Sequence, residues 1–249
     1  MAMQEILSRF IYYPDPHWIF TPADLGLAAE EVTLEPEAGV KLHAWFFPRP
    51  DPLGSLLFCH GNAGNVSHRL ENVRYLVQTG FQILLFDYRG YGHSSGQPSE
   101  WGLYRDAATA WQHLGERPDT AGAPRIIFGR SLGGAVAVDL ATHADADGLI
   151  LESTFTSIRT LVRLIYHLPL PELPVKYDSL SKISQLKMPL LGIHGGRDEL
   201  IPFADGCTLF DAAPEPKRWY PIPGAGHNDT YVTGGDAYFR QFAAFARDL

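Results

Sequence analysis

The sequence predicts an α/β fold, with a mostly parallel sheet and helices on both faces. Three observations carry this. Continuous apolar runs of strand length recur along the chain, segments with helical spacing separate them, and glycine-rich turns sit at the junctions. With 249 residues, 45% hydrophobic and 19% charged, the chain is long enough to bury one large core as a single domain spanning 1–249.

The first two strand candidates, EVTLEP (31–36) and KLHAWFFP (41–48), are joined by the short Gly-containing link EAGV, which predicts an antiparallel hairpin at one edge. Next come SLLFCH (55–60), FQILLFDY (81–88), RIIFG (125–129), GLILES (148–153) and PLLGIHG (189–195), apolar throughout, as parallel strands buried on both faces require. RWYPIPG (218–224) is the last candidate. Helices are expected at 67–79, 102–115, 131–143, 203–212 and from about 234 onward. Within the second, Ala107, Ala110, Trp111 and Leu114 make an apolar stripe. The stretch 154–182 is longer than a plain crossover needs. Ile158, Leu161, Val162 and Ile165 share a face there, Arg159 and Arg163 fall off it, and Pro169, Pro171 and Pro174 end the helix. It reads as a small helical cap insertion.

The opening MAMQEILSRFIYYP places Ile6, Leu7, Phe10 and Ile11 at helical spacing. It is too short for a membrane span and lacks a small-residue cleavage pattern. It reads as a terminal segment folded back on the domain rather than a peripheral membrane contact. The net charge of −8, without a basic run, makes nucleic acid and anionic lipid poor partners. Cys59 falls inside a strand candidate far from Cys207, so a disulfide is not expected and a reducing, cytoplasmic location is.

The chemistry begins at Gly129-Arg130-Ser131-Leu132-Gly133, a G-x-S-x-G pattern between an apolar strand and a small-residue helix start. Either Ser131 is a nucleophile on a tight elbow, or it caps the helix. A nucleophilic serine needs a base, and the base needs an orienting carboxylate. Asp198 stands just past the strand in HGGRDELIP; the competing role is a cap for the helix near Pro202. Of ten histidines, His227 in PIPGAGHNDT is the only one after Asp198, which completes the order Ser131, Asp198, His227. Asp229 and Asp236 are too near His227 in sequence to be the obvious orienting partner, with Asp229 a weak reserve. The backbone N–H groups of Leu132 and of Asn62, in CHGNAGN, are the expected oxyanion donors.

HGNAGN, DYRGYGHSSG (87–96), GRSLGG, HGGRDELIP and GAGHNDT together resemble the α/β-hydrolase superfamily. More narrowly, they resemble its small α/β-hydrolase-domain-containing serine hydrolases, the branch that includes protein depalmitoylases and many bacterial members. The resemblance runs from about Glu31 to the C-terminus. It implies an eight-stranded, mostly parallel sheet with one antiparallel strand and a nucleophile after the fifth strand. It also implies the same three side chains and two backbone donors. Many members carry an apolar anchor ahead of this domain; no such run precedes the motifs here, so membrane residence is not carried over.

The expected reaction is hydrolysis of a small-molecule acyl ester or thioester through an acyl-enzyme, with no organic cofactor and no metal. The histidines form no H-E-x-x-H or ligand cluster. Amide or peptide hydrolysis uses the same parts, and a catalytically silent binding protein of the same fold is the rival of a different kind. Arg130 either orients a carboxylate-bearing substrate or, more in keeping with the elbow, turns back into an ion pair with a loop Asp or Glu. Arg89, Tyr91 and His93 belong either to the pocket rim or to loop scaffolding. The Leu, Ile, Tyr and Pro content of 154–182 favours an apolar acyl chain over a sugar or phosphate.

Overall fold

The structure, a computed structural model, describes residues 11–166 and 176–249. In chain order the first half runs β1 (Tyr13–Pro14), β2 (Glu30–Glu37), β3 (Val40–Phe47), β4 (Gly54–Cys59), β5 (Ala63–Gly64), α1 (Leu70–Thr79), β6 (Phe81–Phe86) and α2 (Glu100–Glu116). The second half runs β7 (Arg125–Arg130), α3 (Leu132–Ala141), β8 (Gly148–Glu152), α4 (Ile158–Tyr166), α5 (Leu180–Ile183), β9 (Leu190–Gly195), α6 (Phe203–Ala212), β10 (Lys217–Ile222) and α7 (Thr230–Arg247).

Eight strands form the main sheet in the order β10-β9-β8-β7-β4-β6-β3-β2. β3 runs antiparallel to both β2 and β6, and the remaining pairs are parallel. One antiparallel strand therefore sits near the edge, made by the expected hairpin, and β7 is the fifth strand of this sheet in chain order.

The apolar runs divide between two cores because successive side chains leave opposite faces of a strand. Leu57 and Cys59 of β4, Ile127 of β7 and Leu149 of β8 meet Leu103, Ala107 and Leu114 of α2 and Val136 of α3. Their neighbours Leu56, Phe58, Phe128 and Ile150 meet Leu70, Val73 and Leu76 of α1 and Phe242 of α7. Phe58 and Phe128, paired in register, stack across β4 and β7 with centroids 4.3 Å apart. Each fully buried Leu or Phe contributes about 1.5–3 kcal/mol relative to exposure, which sets the central strands beyond register slip.

Several expectations shift. The strand at 81–88 ends at Phe86; Asp87 N–H still bonds His43 O of β3 at 2.8 Å, while its buried carboxylate accepts the Val66 N–H at 2.9 Å. The last helix begins at Thr230 and bends at Gly235, where φ is 51°. Residues 66–69 form a 3-10 turn ahead of α1, capped by Asn65. In the 154–182 stretch, Arg159 and Arg163 are exposed, as expected. Pro169, Pro171 and Pro174 and the Ile165 side chain lie outside the described residues, as do Ile6, Leu7 and Phe10.

Residues 11–20 do fold back. β1 pairs in parallel with β5, forming a separate two-stranded sheet, and Ile19 N–H bonds Ser67 Oγ at 3.0 Å. Tyr12 OH meets Tyr177 OH at 2.8 Å, tying this segment to the stretch before α5. Among the described residues, no helix is long and apolar enough to cross a membrane.

The junction of β7 and α3 shows why small residues are demanded there. A Cβ on Gly133 would overlap the Cys59 carbonyl oxygen and come within 2.5 Å of His60 O. Both are backbone atoms that cannot rotate away. Gly133→Ala is therefore expected to lose about 3 kcal/mol or more of stability, read as a lowered urea midpoint.

Candidate active site

Ser131 occupies φ 54°, ψ −121°, a backbone conformation that costs a non-glycine residue about 1–3 kcal/mol. The turn is held by three bonds. Ser131 N–H donates to Glu152 O at 2.9 Å, Thr154 Oγ donates to Ser131 O at 2.8 Å, and Gly134 N–H donates to Ser131 O at 2.9 Å. No side-chain hydrogen bond caps α3, so Ser131 is not the helix cap that the alternative reading required.

The hydroxyl instead faces imidazole: Ser131 Oγ lies 3.1 Å from His227 Nε2, and His227 Nδ1 lies 2.8 Å from Asp198 Oδ2. The three come from loops after β7, β9 and β10, so the structure brings all three sequence-predicted side chains together. The Asp198 carboxylate is fully buried, and its two oxygens divide their work. Oδ1 accepts the Leu200 and Ile201 N–H groups at 3.0 and 2.7 Å, which leaves Oδ2 for the imidazole. Burial pushes this carboxyl upward. The His227 bond and charge and the Ile201 amide outweigh burial and hold it below the usual carboxylate range.

The family model described as "Serine aminopeptidase, S33" (Hydrolase_4) matches residues 50–185. The Arabidopsis thaliana α/β-hydrolase domain-containing protein WAV2 is 36% identical over 268 residues, covering 96% of this chain and 86% of its own. The chain belongs to the α/β-hydrolase superfamily. The protein bem46 of Schizosaccharomyces pombe is 34% identical over 239 residues, 90% of this chain and 79% of its own. Among solved structures, the Pyrococcus furiosus esterase Pf2001 superposes with a TM-score of 0.79 at 18% identity, covering 96% of this chain and 98% of that one, a likeness of fold. By family the protein is a hydrolase.

In this hydrolase the loop after β4 is fixed by contacts that spacing could not reveal. His60 Nδ1 lies 2.7 Å from Gly61 O. Gly61 O and Asn62 N–H belong to one peptide plane and point opposite ways, so the bond turns the Asn62 amide away from His60. Asn62 Oδ1 accepts from Tyr91 OH at 2.7 Å, and its Nδ2 donates to Ile11 O at 2.6 Å. Neither the Asn62 nor the Leu132 amide takes part in a turn, loop or cap hydrogen bond among the described residues. Burial pushes the His60 imidazole down to about 4, against the opposing charge of Asp87, so the ring is neutral at pH 7.

Arg130 turns back, but onto a strand end rather than a loop: its Nε is 3.1 Å from the buried Glu152 carboxylate at the end of β8. Its Nη2 donates to His227 O at 2.7 Å, so the elbow arginine steadies the histidine loop. Glu152 also accepts Thr230 Oγ and, at 2.6 Å, Tyr238 OH from α7. Arg89 is committed to Asp106 and Glu37, and His93 stacks on Trp18, so both are scaffolding, as Tyr91 is through Asn62. Asp229, the reserve partner, instead accepts Gly226 N–H at 2.7 Å and Thr233 Oγ at 2.9 Å.

Two neighbours had no sequence signal. His194 Nε2 is 3.0 Å from Ile201 O and 3.4 Å from Asp198 Oδ2, packed behind the carboxylate. Glu199 Oε2 accepts the His227 N–H at 3.2 Å. In front of Ser131 opens a cavity of about 310 Å3. Phe155, Ile158 and Leu161 wall it from the segment after β8, with Leu200 and Ile201 from the loop after β9. Its polar lining includes Asn62, Arg69, Arg130, Ser131, His227 and Asn228. Among the described residues no group of His, Cys, Asp and Glu could hold a metal ion.

Proposed function

We propose that this protein hydrolyses acyl esters or thioesters by a Ser131–His227–Asp198 triad through an acyl-enzyme. The observation that carries the reading is the unbroken hydroxyl–imidazole–carboxylate contact at 3.1 and 2.8 Å, presented on a strained elbow. Ser131 Oγ attacks the carbonyl carbon as its proton passes to His227 Nε2, while Asp198 holds the Nδ1–H tautomer and stabilises the imidazolium. The oxyanion meets the Asn62 and Leu132 N–H groups. Collapse of this intermediate breaks the carbonyl–leaving-group bond, and the Nε2 proton goes to the departing alkoxide or thiolate. Water then repeats the sequence on the acyl-enzyme, releasing the acid and restoring the Ser131 hydroxyl.

The family description favours a second reading, cleavage of an aminoacyl amide. Holding a free α-ammonium group calls for a carboxylate in the pocket, yet the described lining has two guanidinium groups and no Asp or Glu. We therefore place esters first. Turnover of p-nitrophenyl esters should exceed that of aminoacyl p-nitroanilides, and the reverse order would transfer the assignment to peptidase. About 310 Å3 lies at the small end of the ~300–1,000 Å3 range of ligand pockets. Within a chain-length series, kcat/KM should accordingly peak at butyrate to octanoate and fall at palmitate. A maximum at palmitate would contradict the pocket assignment.

A further inference from the structure

Arg69 lies on the wall of the same cavity as Ser131 and His227. The other cavity arginine, Arg130, is neutralised by Glu152 at 3.1 Å, whereas no carboxylate lies within ion-pairing distance of Arg69 among the described residues. One of its Nη groups donates to the Ala63 carbonyl, and its Nε is buried without a hydrogen-bond partner. Burial pushes this guanidinium down to about 10, which leaves it charged at neutral pH.

The cation is also held in place. It ends the 3-10 turn Val66–Arg69, whose start is fixed by Asn65 Oδ1 accepting Ser67 N–H at 2.9 Å. Asn65 Nδ2 in turn donates to Asp15 O and His17 O, both at 2.8 Å. The buried Asp87 carboxylate attracts Arg69 only from beyond ion-pairing distance and Arg130 repels it, so a half-withdrawn charge stands without a direct ion pair, which is costly. The chain carries a net charge of −8, yet the described cavity lining contains no acidic residue.

We propose that Arg69 is an anion subsite of the cavity, so that the substrate is an acyl ester or thioester bearing a carboxylate or phosphate group. The inference rests on Ser131 being the nucleophile, and it adds the charge of the molecule delivered there. The apolar residues Phe155, Ile158 and Leu161 take the hydrocarbon part, and Arg69 takes the anion with a charge-assisted bond.

The test compares matched pairs of esters on the full chain. One arm sets 4-butyryloxybenzoate against its methyl ester, and the other sets 1-butyrylglycerol 3-phosphate against monobutyrin. Wild-type kcat/KM should favour the anion in at least one arm, and the arm that responds identifies the anion. Arg69→Gln should lower that anion-to-neutral ratio about 10- to 100-fold, chiefly through KM, with partial recovery in Arg69→Lys. A loop strut would lower both members of a pair equally, and an unchanged ratio overturns the proposal. Binding is read separately on Ser131→Ala protein, as thermal stabilisation by benzoate and by phenyl phosphate, which Arg69→Gln should abolish. Absence of stabilisation by either anion also overturns it. Anion binding without turnover of any ester would leave the subsite standing and remove the nucleophile instead.

Discussion

Ser131→Ala is expected to lower kcat for p-nitrophenyl butyrate by about 10⁴- to 10⁶-fold with the urea midpoint essentially unmoved. The hydroxyl has one side-chain partner among the described residues, His227 Nε2, and the turn itself is held by backbone atoms and by Thr154. Alanine tolerates the φ of 54° no worse than serine does. Deleting Oγ thus removes the bond-forming atom and little else. A variant that retained a tenth of the wild-type rate would show that the acyl group is never carried by Ser131.

Asp198→Asn should be nearly as severe, about 10⁴-fold in kcat, for a different physical reason. The carboxamide oxygen can replace Oδ1 as acceptor for the Leu200 and Ile201 amides, so the loop survives. That pins Nδ2 toward His227 Nδ1, and its N–H groups can only donate. The imidazole is then driven to the tautomer protonated on Nε2, which cannot accept the Ser131 proton. KM should change little. A loss confined to KM, or below about 10-fold in kcat, would mean that Asp198 shapes the loop without orienting the base. Its depressed carboxyl also contributes stability above its ordinary titration range, lost as pH falls through the lower native value. In Asp198→Asn the acid limb of the stability curve should flatten accordingly.

Much of this was legible in the residues because the strongest patterns are local. Each central strand shows itself as an apolar run because both faces are buried, and the glycines around Ser131 are forced by contacts with Cys59, Ala137 and Thr154. Ser131, Asp198 and His227 each follow a strand, so the G-x-S-x-G turn and the chain order together nominate them. What escaped was set by tertiary pairing. Tyr13–Pro14 is a two-residue exposed strand with no periodicity to read; only its partner Ala63–Gly64 gives it meaning. His194 looked like one more strand residue until the Asp198 loop closed over it. Arg69 belongs to no motif, and only the cavity reveals what it faces. Glu152 read as a strand end, although it fastens Arg130 and through it the His227 loop.

The most direct test is peptide mapping by mass spectrometry after treating the folded protein with a fluorophosphonate. Nucleophilic attack at phosphorus and loss of fluoride should leave one adduct per chain, on the peptide carrying Ser131, with labelling strongly slowed in His227→Ala. Native protein that stays unlabelled, or that carries its adduct on another residue, would contradict the triad.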